Sequence, residues 1–364
     1  MAIAKSSISR LSLVLPLLIW GFAAKIASAQ TGDADAGSLK FTTLHSFSGS
    51  EGENPNGVLL QATNGDFYGT TVNAGARCIL PTTDCGTIFK ITPSGGLTAI
   101  HSFCFGLCAS DGSAPDGLVQ ATNGYLYGTT TFGGANCPPN GCGTIFKISP
   151  SGTLTTLYSF CSISGCPDGY APLGLVQASN GDLYGTTGLG GIATSCSFGC
   201  GTIFKVTSGG TLTTVYTFCA KTGCPDGSNP YPGLVEAANG DYYGATSNSG
   251  ITNSYCPLGC GTVFKITPTG AFTTLYSFCS QPGCADGGLP AKLAQGANGD
   301  LYGATARGGS SNCAFGCGTI FQLSPSGALS TLYSFCSQND CVKDDAPSAQ
   351  LIQTDGDSLY GWTA

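Results

Sequence analysis

A Tyr-Gly pair returns at Tyr68, Tyr127, Tyr184, Tyr243, Tyr302 and Tyr360, at intervals of 59, 57, 59, 59 and 58 residues. A fixed period of this size marks one supersecondary unit copied along the chain, with neighbouring copies burying each other's apolar faces. It also constrains the functional reading, because a residue present in every copy serves the fold first.

The third copy shows the unit. Gly174 to Ser179 is a short β-prone run, Asn180-Gly181 follows, and Asp182 to Thr187 is the next run. Asn-Gly between two such runs predicts a tight hairpin with a type I′ turn, which needs positive φ at both central residues. The dipeptide recurs at Asn64, Asn123, Asn239 and Asn298, with Asp355-Gly356 in the last copy. A loop of about a dozen residues leads to Gly201-Thr-Ile-Phe-Lys-Val206, and a Pro-Ser-Gly-type turn such as Pro150-Ser151-Gly152 links that run to Leu-Thr-Thr-Leu-Tyr-Ser-Phe, as at Leu154 to Phe160. A second loop, usually ending in Asp-Gly, enters the next copy.

In chain order within a unit these are repeat strands b, c, d and a. Their weak apolar–polar alternation is the pattern of sheets covered on both faces, as in stacked propeller blades. The expected fold is all-β, a β-propeller of about six four-stranded antiparallel blades over residues 39–364. Strands a, b and c are each counted six times and strand d five, so 23 strands leave one blade a strand short. Antiparallel order puts the two tight turns of every unit at one end of the strands and both long loops at the other, the better place for binding.

The long loops hold all 20 cysteines, in ten local pairs. These are Cys78/Cys85, Cys104/Cys108, Cys137/Cys142, Cys161/Cys166, Cys196/Cys200, Cys219/Cys224, Cys256/Cys260, Cys279/Cys284, Cys313/Cys317 and Cys336/Cys341. An even count at repeated spacing behind an export signal reads as a disulfide framework. The two pairs of one repeat could also cross-link to each other. Four thiolates per repeat could alternatively bind zinc, but the spacings are mostly C-x3-C and C-x4-C, and an oxidising compartment consumes thiols.

The export signal is the N-terminal stretch. Lys5 and Arg10 precede the apolar run Leu11 to Ala24, and Ala27-Ser28-Ala29 forms a small-x-small cleavage site. This is the layout of a secretory signal peptide over 1–29, followed by a short linker over 30–38. The run is shorter than the roughly 20 residues of a spanning helix, so no membrane span is expected after cleavage. Without Lys5, Arg10 and Lys25, ten basic residues face twenty acidic ones. That balance repels phosphate backbones and argues against nucleic acid as a partner.

Little in the chain points to catalysis. The two histidines, His45 and His101, stand where later copies have Tyr158, Tyr216, Tyr276 and Tyr333, so they read as packing residues. Lys90, Lys147, Lys205 and Lys265 repeat at one position of strand d and read as scaffold. Asp111, Asp168, Asp226 and Asp286, with Glu51 in the first copy, close the second loop. They either shape an Asx turn or each offer one oxygen to calcium; the turn is favoured, and calcium is the only cofactor in view. Departures from the repeat, namely Arg77, Asp84, Asp116, Lys221, Glu236, Lys292 and Arg307, are scattered.

The recurring Leu-Tyr-Gly-Thr-Thr, Gly-Gly, Gly-Thr-Ile-Phe-Lys-Ile and Leu-Thr-Thr-Leu-Tyr-Ser-Phe blocks are seen at Tyr127 to Thr130, Gly133-Gly134, Gly143 to Ile148 and Leu154 to Phe160. They resemble the bacterial choice-of-anchor tandem-repeat proteins, also called GloVer-repeat proteins, across about 39–364. The resemblance implies an exported repeat protein without established activity, and it carries over no catalytic residue. Such proteins often end in an anchoring segment; none is visible here, as expected of a freely secreted or truncated chain. The expected role is a non-catalytic extracellular propeller, secreted or at the cell surface, that binds a glycan, a surface component or a protein. A secreted carbohydrate-active enzyme is the alternative.

Overall fold

The structure is a computed structural model that describes residues 2–7, 40–78, 84–104, 110–137, 140–193, 195–254, 256–309, 316–336, 352–353 and 359–360. Cys108, Cys313 and Cys341 lie outside the described residues. The described chain is β-strand throughout, relieved by short 3₁₀ turns at Gly49–Glu51 and Pro282–Cys284. None of it forms a helix long and apolar enough to cross a membrane.

The chain divides into two compact units, Met1–Ser159 and Phe160–Ala364. In the first, β1 (Ala2–Ser7) pairs antiparallel with β2 (Lys40–Ser46). One four-stranded sheet follows from β3 (Glu53–Gln61), β4 (Phe67–Asn73), β5 (Thr87–Ile91) and β6 (Leu97–Ser102). A second comes from β7 (Ser113–Gln120), β8 (Leu126–Phe132), β9 (Thr144–Ile148) and β10 (Leu154–Ser159).

In the second unit, β11 (Tyr170–Gln177), β12 (Leu183–Leu189), β13 (Thr202–Val206) and β14 (Leu212–Thr217) form the third sheet. The fourth has its first strand split into β15 (Ser228–Pro230) and β16 (Val235–Glu236), then β17 (Tyr242–Asn248), β18 (Thr262–Ile266) and β19 (Phe272–Ser277). The fifth repeats that split as β20 (Gly288–Pro290) and β21 (Ala294–Gln295), then β22 (Leu301–Arg307), β23 (Thr319–Leu323) and β24 (Leu329–Ser334). A short ladder of β25 (Ile352–Gln353) and β26 (Leu359–Tyr360) closes the described residues. Each of the five larger sheets is an antiparallel meander in the order b, c, d, a, as the hairpin signals predict.

β1 falls within the segment read as an export signal. Beside β2 it takes the place that strand d takes beside strand a in each complete sheet, pairing an edge whose backbone groups would otherwise be open.

The Tyr-Gly signature has a packing cause. Gly185 of β12 stands directly opposite Phe204 of β13, and a Cβ there would lie 2.5 Å from the ring. Gly69, Gly128, Gly244 and Gly303 face Phe89, Phe146, Phe264 and Phe321 in the same way. These glycines supply room for a ring rather than an unusual backbone angle. Each ring then meets the phenylalanine that ends the preceding repeat's strand a. The centroid distances are 5.6 Å for Phe103–Phe146, 5.4 Å for Phe218–Phe264 and 5.1 Å for Phe278–Phe321. All six of these rings are fully buried, so the core of each unit is a stack of aromatic layers between sheets.

Two local expectations are corrected. In the Asn-Gly hairpins only glycine has positive φ, 88° at Gly181. Gly181 N–H donates to Ala178 O and Ala178 N–H to Asp182 O, both at 2.8 Å. This is a type I turn followed by a glycine bulge, and Asn180 serves it by accepting from Asp182 N–H at 3.0 Å. Strand a, in turn, loses alternation through a bulge rather than through burial. Its pairing skips Ile100, Leu157, Val215, Leu275 and Leu332, and the strand is only half-buried, whereas strands c and d are buried nearly throughout.

Candidate functional site

The long loops leave each sheet at one end, and a threonine pair holds them there. Thr187 and Thr202 share a hydrogen bond at 2.9 Å across strands c and d, and both are fully buried. Thr202 Oγ1 then donates to the carbonyl of Asp168 in the second loop at 3.3 Å. The same device joins Thr87 to Glu51, Thr144 to Asp111 and Thr262 to Asp226. The glycine after the acid packs against the pair with positive φ, 89° at Gly169 and 86° at Gly227. Thus the Asp-Gly signature anchors the loop to its sheet.

The acid's side chain completes the anchor. Asp226 Oδ2 accepts from Tyr216 O–H at 2.9 Å and from Cys219 N–H at 2.9 Å. Asp286 Oδ2 accepts from Tyr276 O–H at 2.8 Å, Ser280 N–H at 2.9 Å and Ser280 O–H at 3.0 Å. Asp168 accepts from Ser162 N–H at 3.2 Å. In the first unit histidine replaces tyrosine: His45 shares a 2.8 Å hydrogen bond with Glu51, and His101 a 2.9 Å bond with Asp111. Arg77 adds an ion pair to Asp111 at 3.0 Å.

Burial pushes the Asp111 carboxyl up. The His101 hydrogen bond and the charges of His101 and Arg77 outweigh it and leave the group below the ordinary carboxylate range. Burial, reinforced by the bond to Asp226, pushes the Tyr216 hydroxyl well up. Each of the four aspartates considered as calcium ligands sits in its own loop and has an oxygen that accepts from N–H or O–H donors, while Oδ1 of Asp111 and of Asp226 is buried without a hydrogen-bond partner. Among the described residues, none of them joins a group of ligand atoms close enough to share one ion.

Several other polar candidates also have scaffold partners. Lys90, Lys205 and Lys265 pair with Asp66, Asp182 and Asp241 of the hairpin turns at 3.4, 3.7 and 3.5 Å. Where the turn has Tyr125 instead, Lys147 lies over its ring. Glu236 Oε1 accepts from Ser179 N–H at 3.1 Å, tying two sheets as Gln120 Oε1 ties to Thr63 N–H at 2.9 Å. Asp84 accepts from Asn73 Nδ2 at 3.2 Å.

Among the described residues the disulfide framework is present, with one exception. Bonds close between Cys78 and Cys85, Cys137 and Cys142, Cys161 and Cys166, Cys196 and Cys200, Cys219 and Cys224, and Cys279 and Cys284. Cys104, Cys317 and Cys336 are also disulfide-bonded. Cys256 and Cys260, expected as a pair, are buried free thiols. Their loop is one residue longer than its counterpart: six positions separate Gly250 from Cys256, against five between Gly191 and Cys196. The extra length brings in Asn253, which accepts from Cys256 N–H at 3.1 Å.

Among the described residues, a concave feature of this end lies on the third sheet. Residues of the Cys161–Cys166 and Cys196–Cys200 loops line an open cleft of about 810 Å³. Gly191 N–H donates to Cys166 O at 2.8 Å, fixing one loop on the other, and Gly190 N–H donates to Phe198 O at 2.8 Å within the Cys196–Cys200 loop. Phe198 and Ile192 line the cleft, yet they are 70% and 72% exposed, and Ile163 beside it is 62% exposed. Ser164, Ser197 and Tyr170 supply its polar groups. On the next sheet Leu258 takes the place of Phe198 at the loop tip and is 76% exposed. Sequence reading passed over these tips. Their signal is the apolar third residue of Cys-Ser-Phe-Gly-Cys and Cys-Pro-Leu-Gly-Cys, the variable residue inside a fixed frame.

Solved structures with the same fold include a streptogramin B lyase, at 17% identity over 85% of this chain and 76% of that one, with a TM-score of 0.53. A catalytically inactive virginiamycin B lyase from Staphylococcus aureus with quinupristin matches at 17% identity over 88% of this chain and 80% of that one, with a TM-score of 0.56. These likenesses identify the fold as a β-propeller. No curated protein matches the chain. The profile of the Gloeobacter/Verrucomicrobia repeat matches residues 31–194, 78–313 and 249–364, and the protein belongs to that repeat family.

Proposed function

We infer that this is an exported, non-catalytic propeller that binds a neutral glycan of an extracellular surface through its cysteine-loop end. The observation that carries the reading is the cleft on the third sheet. Two disulfide-stapled loops hold exposed apolar side chains around an open concavity of about 810 Å³. Large apolar side chains held out to solvent around a concavity mark an interaction surface. The ring of Phe198 offers a face to the C–H side of a sugar, while Ser164, Ser197 and Tyr170 offer hydroxyls.

Among the described residues, the lining of this cleft has no aspartate, glutamate or histidine. Glycoside hydrolysis needs two carboxylates flanking the scissile bond, so the chemistry of this lining supports holding a sugar rather than cleaving it. Export is supported by the N-terminal leader pattern and by the many disulfides.

The test is a glycan array probed with the purified mature protein, with and without calcium and chelator. The reading expects calcium-independent binding to neutral glycans without release of shortened products. Product release would support the enzyme reading instead, and a hit lost in chelator would bring the loop aspartates back as calcium ligands.

A further inference from the structure

The two free thiols lie against a disulfide. The sulfur atoms of Cys256, Cys260 and Cys279 are all within 4.8 Å of one another, and Cys279 is bonded to Cys284. The third sheet has the same three sulfurs at Cys196, Cys200 and Cys219, but there the first two are bonded. The fourth sheet therefore gathers four cysteines holding one disulfide and two thiols. Exposure of the four residues is between 0% and 8%, so the sulfurs can react with each other more readily than with an outside reagent.

Asn253 spans the cluster. Its Oδ1 faces the Cys260 thiol at 3.8 Å, and its Nδ2 donates to Cys284 Sγ at 3.2 Å. We propose that Cys256, Cys260, Cys279 and Cys284 form a thiol–disulfide exchange site in which one disulfide moves between the two loops of this repeat. In the first step the Cys256 thiolate attacks Cys279 Sγ. The Cys256–Cys279 bond forms, the Cys279–Cys284 bond breaks, and its electron pair leaves on Cys284 Sγ, where the Asn253 N–H already points. Cys260 then passes its proton to the Cys284 thiolate. In the second step the Cys260 thiolate attacks Cys256 Sγ, closing Cys256–Cys260 while the Cys256–Cys279 bond breaks and leaves its electron pair on Cys279 Sγ. Each step turns one thiolate into another and exchanges one S–S bond for another, so no outside oxidant or reductant is consumed.

The electrostatics assign the order of attack. A hydrogen bond from the Cys260 thiol, opposed by burial and aided by the charge of Arg307, holds the Cys256 thiol below its usual range. Cys260 is pushed up by that same bond and by burial. The thiolate is the nucleophile in such exchange, so Cys256 attacks first and Cys260 resolves.

Differential alkylation of the full-length secreted protein tests this. Samples are acid-quenched before and after incubation at pH 8, denatured and alkylated with N-ethylmaleimide, then digested at low pH without reduction and mapped by mass spectrometry. The wild type is expected to carry two alkylated cysteines among these four positions. Incubation moves part of the label from Cys256 and Cys260 to Cys279 and Cys284. Cys260→Ser, which cannot resolve, collects a Cys256–Cys279 disulfide with Cys284 alkylated, and Cys256→Ser confines the label to Cys260. Two results overturn the proposal. One is a wild type with none of the four alkylated; the other is label that stays at Cys256 and Cys260 in the wild type throughout the incubation.

Discussion

Tyr216 and Asp226, ten residues apart at the two ends of a disulfide-closed loop, share a hydrogen bond of 2.9 Å, with the carboxylate 4% exposed. Tyr276 and Asp286 repeat the relationship at 2.8 Å, and His101 and Asp111 repeat it at 2.9 Å with imidazole in place of phenol. The acidic position that recurs at the end of the second loop in this chain is therefore an internal acceptor that fastens that loop to its sheet.

Removing the Tyr216 hydroxyl tests that fastening. Tyr216→Phe leaves the ring in its stack on Phe272, at 4.1 Å between centroids, and removes one donor to a buried charge. The expected loss is about 1.5–3 kcal/mol, read as a lower midpoint in urea denaturation with an unchanged slope. An unchanged midpoint would mean that the Cys219 N–H alone satisfies Asp226.

The Arg77–Asp111–His101 cluster gives a pH dependence. The Asp111 carboxyl is lowered in the folded state, so its contribution is fully present above the unfolded value near 3.8 and fades as pH falls through the folded value. Asp111→Asn should therefore lower the thermal midpoint at pH 7 and make a smaller difference at pH 3. A difference that grows in acid would contradict the assignment.

Gly185→Ala tests the cause of the Tyr-Gly signature. Alanine normally favours a strand over glycine, but here the methyl group meets the Phe204 ring. Overpacking of this kind costs about 1–3 kcal/mol, and Gly185→Ala with Phe204→Leu should recover part of it. Chemical denaturation of both variants decides the matter: equal loss in the two would show that the ring is not the obstacle.

Much of this fold is legible in the sequence because each signature answers to one neighbour. Asn-Gly marks a hairpin, and the period of Tyr-Gly counts the sheets. The turn type was misread because Asn180 acts through its side chain, which a rule based on positive φ does not register. The bulges at Leu157 and Val215 depend on pairing with the adjacent strand, so alternation alone was misleading. The candidate site was harder to see. Phe198 reads as one more packing aromatic until the staples on either side turn it outward. The state of Cys256 and Cys260 depends on one extra residue and on sulfurs some twenty positions further along.

The N-terminal reading makes its own prediction. Cleavage after Ala29 would leave Gln30 as the first residue and remove Ala2–Ser7 from beside Lys40–Ser46. Intact mass of the secreted protein should be lower than that of the unprocessed chain by residues 1–29. A mass that retains residues 1–29 would show that β1 belongs to the mature fold.

The most direct measurement is titration of the best glycan hit against wild-type protein and Phe198→Ala. Phe198 is 70% exposed, so its loss should leave folding intact. The account predicts that affinity drops by at least roughly tenfold, the effect of losing an interface anchor worth about 1.4 kcal/mol or more. Unchanged affinity in a folded Phe198→Ala protein would contradict the assignment of binding to this cleft.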